Sequence, residues 1–263
     1  MLQESNLEIG SYMSTGSSAP RMATHKPTAK RYVFKKNRGN LPQVINEYIA
    51  NQVYKLAGVN VPEVFLVKNA EVIKGLAIEY IEGYNLKDYS RLIELDTLNI
   101  IRNRLQQDYV IHALCGNWDI NNSENYLVPV NIEGVANIDN IYVLDLGGAF
   151  FFRAMGATKS KKQFPNTNVP NLKSLKNFSR GSYLHLYDTV EKATICSRWA
   201  RVDKEAIKNY LRSPEVSALL EQIGYPNLPE VIEGRILAID RFCAEDIVTG
   251  GRRRKTRKIK RKY

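Results

Sequence analysis

The sequence predicts an α+β protein in two parts, a small N-terminal antiparallel sheet with one helix, followed by a larger, mainly helical part. Three observations predict it. Short β-like runs cluster before residue 83, one strongly amphipathic helix falls among them, and helical periodicities fill most of the chain beyond residue 187. The expected organisation is an N-terminal unit over 1–83, a C-terminal unit over 84–249, and a disordered basic tail over 250–263.

The elements follow in order. Residues 10–29, "GSYMSTGSSAPRMATHKPTA", are rich in Gly, Ser, Thr and Pro and read as a loop. They lead into "KRYVFKK", where Tyr32, Val33 and Phe34 predict a short strand ending in lysine. In "LPQVINEYIANQVYKLAG", Val44, Ile45, Tyr48, Ile49, Val53 and Leu56 recur at helical spacing, with Pro42 near the start and Gly58 at the end. The runs "VPEVFLV" and "GLAIEYI", closed by "EGYN", read as a meander ending in a linker. Leu98, Ile101, Leu105, Tyr109 and Ile111 predict a second helix from about Asp96 to Cys115, stopped by Gly116. "NYLVPV" and "IYVLDLGG" then predict a hairpin with a long loop. The segment after Gly148 has no sustained period and reads as extended loop, before helical patterns near 187–200, 203–211, 214–223 and 228–248.

The net charge of +11 is misleading as a guide to the body of the protein. Nine basic residues sit in the last fourteen, "GGRRRKTRKIKRKY", and setting them aside leaves +2. Such a run cannot pack, and it predicts a polyelectrolyte arm for nucleic acid, an acidic protein surface or a negatively charged membrane. The cysteines, Cys115, Cys196 and Cys243, are odd in number and widely spaced, which predicts neither a disulfide framework nor a zinc site and points to a reducing intracellular compartment. No apolar run approaches the roughly eighteen residues of a membrane span. The start "MLQESNLEIG" lacks the parts of a signal peptide, so a protein with no transmembrane segment is expected.

The chemistry concentrates in "GNWDINNSENYL" and "VLDLGG". Antiparallel pairing of the hairpin puts Asn125, at the start of one strand, beside Asp145, at the end of the other, with Asp119 just upstream. Three oxygen-bearing groups then share one mouth. Mg²⁺ suits such a set, because it takes hard oxygen ligands and is commonly shared between one or two carboxylates and substrate phosphates. With Asn125 and Asp145 on metal, Asp119 is free to orient an attacking hydroxyl, the division of labour phosphoryl transfer requires. The N-terminal unit supplies Lys35 for the phosphates, Glu47 to hold that lysine, and backbone amides of the Gly10–Ser18 loop, Gly16 and Ser17 among them.

The order "TGSS", "YVFK", "NEYIAN", "AIEYIEG", "NWD", "EN", "VLDLGG" resembles the protein-kinase-like superfamily, and within it the atypical branches of actin-fragmin kinase, phosphoinositide kinases and HipA-like kinases. "NWD" followed by "DLGGAFFFRAMG" is similar to kinase-like proteins of phages, bacteria and large DNA viruses. The resemblance covers roughly residues 9–165 and implies a two-lobed fold and ATP- and Mg²⁺-dependent phosphorylation of protein Ser/Thr. It makes Lys35 the nucleotide-phosphate lysine, Glu47 its helix partner, and Glu79, Tyr80 and Ile81 part of the adenine-binding linker ending at Gly83. Asp119 becomes the catalytic aspartate, with Asn125 and Asp145 as metal ligands. There are departures. The family's His-Arg-Asp triplet is absent, the Asp-to-Asn spacing is six, Leu146 stands where the family carries an aromatic, and no Ala-Pro-Glu follows.

Blander readings compete at each position. Asp and Asn between elements commonly form turns or caps. Lys36 rivals Lys35, but strand alternation puts Lys35 on the face of Val33 and favours it. Asn51 is expected to extend a polar stripe from Glu47 towards the cleft. Trp118 is read as packing under the loop and Phe150, Phe151 and Phe152 as core anchors, with Arg153 either a structural pin or a phosphate contact. Cys115 is expected buried, and His25, His112 and His185 are given no chemistry. A second overall reading keeps the fold without the activity, as a pseudokinase scaffold or virion component whose tail binds nucleic acid. A compartment that is cytoplasmic, nuclear or virion-associated follows from the tail and the resemblance.

Overall fold

Alternating residues on six short runs build a twisted sheet in the order β1-β5-β6-β4-β3-β2. The structure, a computed structural model, describes residues 1–13, 19–153, 156–169, 172, 184–187 and 190–249. The strands are β1 (Leu2–Gln3), β2 (Leu7–Tyr12), β3 (Arg21–His25), β4 (Arg31–Lys36), β5 (Val64–Asn69) and β6 (Val72–Glu79). All neighbours pair antiparallel except β1, which adds to β5 in parallel. Residues 10–29 are therefore not one loop. β2 and β3 form a hairpin there, because Met22 and Thr24 alternate with Ala23, which is buried in a small core with Tyr32 and Phe34. Gly75 of β6 lies so close to β4 that a Cβ would sit 2.1 Å from the Lys35 carbonyl oxygen. Only glycine allows that approach, which fixes the end of β4.

The opposite face of the sheet carries α1 (Leu41–Leu56). Asn40 caps it by accepting from the Gln43 N–H, Pro42 sits in the first turn, and Ile45, Ile49 and Val53 are wholly buried. The helix packs against both the sheet and the C-terminal helices, so one hydrophobic core runs through the two parts.

A second sheet, β7 (Gly83–Asn85), β8 (Tyr126–Pro129) and β9 (Tyr142–Val143), lies beyond the linker. Between β7 and β8 come α2 (Leu86–Tyr89), α3 (Leu95–Gln107) and α4 (Tyr109–Cys115). The single helix expected over 96–115 is thus two, broken at Asp108, whose carboxylate turns aside to meet Arg198 at 2.9 Å. Gly116 ends α4 in the left-handed region, with φ +60. The rest is helical, with α5 (Lys192–Trp199), α6 (Lys204–Leu211), α7 (Pro214–Gln222) and α8 (Leu228–Thr249) close to their expected positions.

Cys196 of α5 and Cys243 of α8 form a disulfide, contrary to the expectation from their spacing. Separation along the chain, 47 residues, carries no information about two helix faces that packing brings to a Cα–Cα distance of 5.4 Å. The bond removes the ground on which a reducing compartment was expected. Cys115 is free and buried, as expected. Among the described residues no helix is long and apolar enough to cross a membrane.

Candidate active site

Lys35 leaves β4 on the face of Val33, towards α1, while Lys36 is exposed. Its Nζ donates to Glu47 Oε1 at 2.7 Å and to Asp145 Oδ1 at 3.0 Å. The side chains of Lys35 and Glu47 are 17% and 10% exposed, so this ion pair is largely removed from solvent. Burial opposes the charge on Lys35, but the two carboxylates outweigh it and hold the ammonium above its ordinary range. Lys35 in turn pulls the Asp145 carboxyl below its usual value.

Asp145 follows β9 in a left-handed conformation, φ 51, uncommon for a residue with a Cβ. That turn swings its carboxylate back to Lys35. Gly147 completes the fit, since a Cβ there would lie 3.5 Å from both Asp145 Oδ1 and Glu47 Oε2 and 3.3 Å from Gln43 Nε2. Asn46, beside Glu47 on α1, donates to the Ala149 carbonyl at 3.1 Å. The helix therefore grips the Leu146–Ala149 turn on both sides of its acid.

Hairpin pairing brings the polar loop to the same place. Tyr126 pairs with Val143, and the Leu144 N–H donates to the Asn125 carbonyl at 2.7 Å, which sets Asn125 next to the residue preceding Asp145. Asn125 Nδ2 donates to the Asp119 backbone carbonyl and to Asp119 Oδ2, at 3.1 and 3.0 Å. Burial, with the charge of Asp145 adding to it, raises the Asp119 carboxyl above its usual range, against the Asn125 bond.

The remaining expected residues are more scattered. Glu79 ends β6, and with Tyr80 and Ile81 it spans the gap between the six-stranded sheet and β7 of the second sheet. The Arg31 guanidinium lies over the Tyr80 ring at 4.3 Å. Gly10 is in β2, where its carbonyl accepts from Arg21. Gly16 and Ser17 lie outside the described residues. Of the described residues beside them, Tyr12 pairs with Arg21, and Arg21 with Phe34, the neighbour of Lys35. Asn51 corrects an expectation. It is buried and donates to the Pro62 carbonyl at 3.0 Å, so the polar stripe on α1 turns into the core after Glu47. Phe150, Phe151 and Phe152 are core anchors, and Arg153 reaches Gln163 at 3.3 Å.

Two basic residues of the site were invisible in the sequence. Lys159 is buried and donates to the Gly148 and Phe150 carbonyls at 2.6 and 2.9 Å, clasping the turn that follows Asp145. Arg235 of α8 is buried behind α4 and donates to the Ala113 and Leu114 carbonyls, both at 2.7 Å. Nothing distinguishes Lys159 from Lys161 and Lys162 in the segment read as loop. Burial, with Arg235 and Arg153 adding repulsion against Cys115 and Asp119, lowers Lys159 to about 7. Above that value the native protein has released a proton that the unfolded chain still holds, up to the ordinary lysine range. Stability contributed at this position therefore rises with pH through the window, and below it the full cost of a buried cation remains. Lys159→Met is expected to gain more thermal stability relative to the wild type at pH 6 than at pH 9. Calorimetry showing the same difference at both would contradict this.

The sheet, the gripping helix and the hairpin-borne acids together define a protein-kinase-like α+β fold. Among solved structures the chain is similar to the proinflammatory kinase CtkA of Helicobacter pylori, with a TM-score of 0.57 at 14% identity, over 92% of this chain and 96% of that one. No protein-family model matches the sequence, and no curated protein matches it either.

Proposed function

We propose that the protein is an ATP- and Mg²⁺-dependent phosphotransferase of the atypical kinase type that phosphorylates protein Ser/Thr. The observation that carries this reading is Lys35 held between Glu47 and Asp145 beside a loop in which Asn125 fastens Asp119. In this reading Lys35 binds nucleotide phosphates and Glu47 keeps it aimed. Asp119 orients the substrate hydroxyl, and the linker from Glu79 to Ile81 receives the base.

The donor set suits Mg²⁺. Asn125 spends its amide nitrogen on Asp119, which leaves its oxygen as the group to offer a cation. Asp145 commits Oδ1 to Lys35 while its side chain stays 46% exposed. No group of three His, Cys, Asp or Glu side chains gathers among the described residues, and a cation held by one carboxylate and one amide completes its shell with phosphate oxygens and water. When bound, the ion neutralises charge on the phosphates. The basic tail is a separate proposal, an arm for nucleic acid or an acidic surface.

The test is direct. ATP with Mg²⁺ is expected to raise the melting temperature, EDTA to abolish the rise, and Asp145→Asn, which tolerates the left-handed backbone, to abolish it too. Labelled γ-phosphate should pass to the protein itself or to a mixture of proteins. Absence of both stabilisation and transfer would sink the reading, and a product heavier by a nucleotide would move it to nucleotidyl transfer.

A further inference from the structure

Asp119, Asn125 and Glu47 are all served by one buried chain of hydrogen bonds. Tyr54 stands on α1 seven residues after Glu47, two helical turns on and so on the same face. Its hydroxyl meets His112 Nδ1 of α4 at 2.9 Å. Across the ring, His112 Nε2 meets the Tyr187 hydroxyl at 3.3 Å, which meets the Tyr126 hydroxyl at 2.6 Å. Tyr126 donates to the Ile120 carbonyl at 2.9 Å. Ile120 adjoins Asp119, and Tyr126 adjoins Asn125. A branch runs from Tyr54 to the Asn117 side chain, whose oxygen accepts the Asp119 N–H at 3.1 Å.

The donors sort themselves. A carbonyl can only accept, so Tyr126 spends its proton on Ile120, Tyr187 donates to Tyr126, and His112 Nε2–H donates to Tyr187. Nδ1 is then the acceptor for Tyr54. The ring is neutral with its proton on Nε2, which agrees with burial lowering His112 to about 3. Tyr54, His112, Tyr126 and Tyr187 are each no more than 2% exposed, and they come from four separate stretches of chain.

Packing alone does not account for them. Phenylalanine would fill the same space without four polar groups to desolvate, and such exchanges of both partners are commonly neutral for stability. What an ordered hydrogen-bond chain adds is a defined distance between its ends. We infer that Tyr54, His112, Tyr187 and Tyr126 are positioning residues that set the spacing between the helix bearing Glu47 and the loop bearing Asp119 and Asn125. This rests on the phosphotransfer reading for its consequence in turnover, but not for its consequence in structure.

Single hydroxyl deletions, Tyr54→Phe, Tyr126→Phe and Tyr187→Phe, preserve shape. Each is expected to lower kcat about tenfold or more while KM for nucleotide stays within about twofold, since a displaced reacting group affects turnover before binding. Tyr54→Phe with Tyr126→Phe should lose little more than the worse single variant, although the two hydroxyls do not touch, because breaking one link already frees the chain. The control is Tyr210→Phe on α6, whose buried hydroxyl has no hydrogen-bond partner among the described residues; it should alter neither constant. Unchanged kcat in all three variants, or losses that multiply in the double variant, would overturn the inference. A readout without turnover keeps it separate from the kinase reading. Amide hydrogen exchange over residues 117–125 should quicken in Tyr54→Phe, a change made on α1, and not in Tyr210→Phe. Wild-type protein lacking phosphotransfer but showing that exchange pattern would end the functional reading and keep the chain. Undiminished protection of the loop would end the chain.

Discussion

On the phosphotransferase reading, Asp119→Asn is expected to lower the rate of phosphoryl transfer by about 100- to 10,000-fold, the range for loss of a positioned acid–base group, and to leave Mg-nucleotide binding nearly intact. Asparagine is the informative replacement because it keeps an oxygen to accept from Asn125 Nδ2, which bonds both the side chain and the backbone carbonyl of residue 119. The loop should therefore hold its shape, and the loss should fall on kcat rather than on KM. Alanine would remove the acceptor and confound chemistry with displacement of Asn125. Steady-state kinetics beside a nucleotide titration monitored by melting temperature would decide it. Parallel loss of binding and turnover would mean that Asp119 holds the nucleotide or its cation and that the hydroxyl is oriented elsewhere.

Arg235→Leu destabilises the fold by about 3–5 kcal/mol, because it strips donors from several buried carbonyls at once. For a chain of this size that corresponds to a fall of roughly 10 °C in melting temperature. Arg235 is wholly buried, no carboxylate pairs with it among the described residues, and burial lowers its guanidinium to about 10. Its partners explain why the charge persists. Ala113 and Leu114 offer carbonyls of the last turn of α4, the negative end of that helix, while a third donor reaches Asn166 and the guanidinium lies 4.9 Å from the centre of the Phe164 ring. Arg235→Lys keeps the charge without the fork and should fall between wild type and leucine. Equal melting temperatures for all three proteins would show that water replaces the guanidinium without loss.

The parts of the site legible in the sequence are those whose geometry is local. Alternation along one strand chose Lys35 over Lys36, and the pairing rule for a hairpin joined Asn125 to Asp145 across twenty residues. Glu47 was legible because its helix shows an apolar stripe at helical spacing with Pro42 near its start. Where the stripe met a polar residue the local rule failed, and Asn51 went to the Pro62 carbonyl instead of the cleft. The composition of residues 10–29 hid β3, whose single buried alanine gives a weak period. Lys159, Arg235, His112 and the cysteine pair share a different cause. Each has its role only through a partner far along the chain, in segments read as loop or as independent helices, and no spacing encodes such meetings.

The placing of α1 bears on control. Its C-terminal carbonyl, at Ala57, accepts from Arg198, which also pairs with Asp108 between α3 and α4, and its flank packs on α6 and α7. A helix fastened at both its tip and its side to the C-terminal part cannot rotate away from Lys35 without opening the shared core. The Lys35–Glu47 contact is thus part of the shared core, and on the phosphotransferase reading it needs no swing of α1 to form.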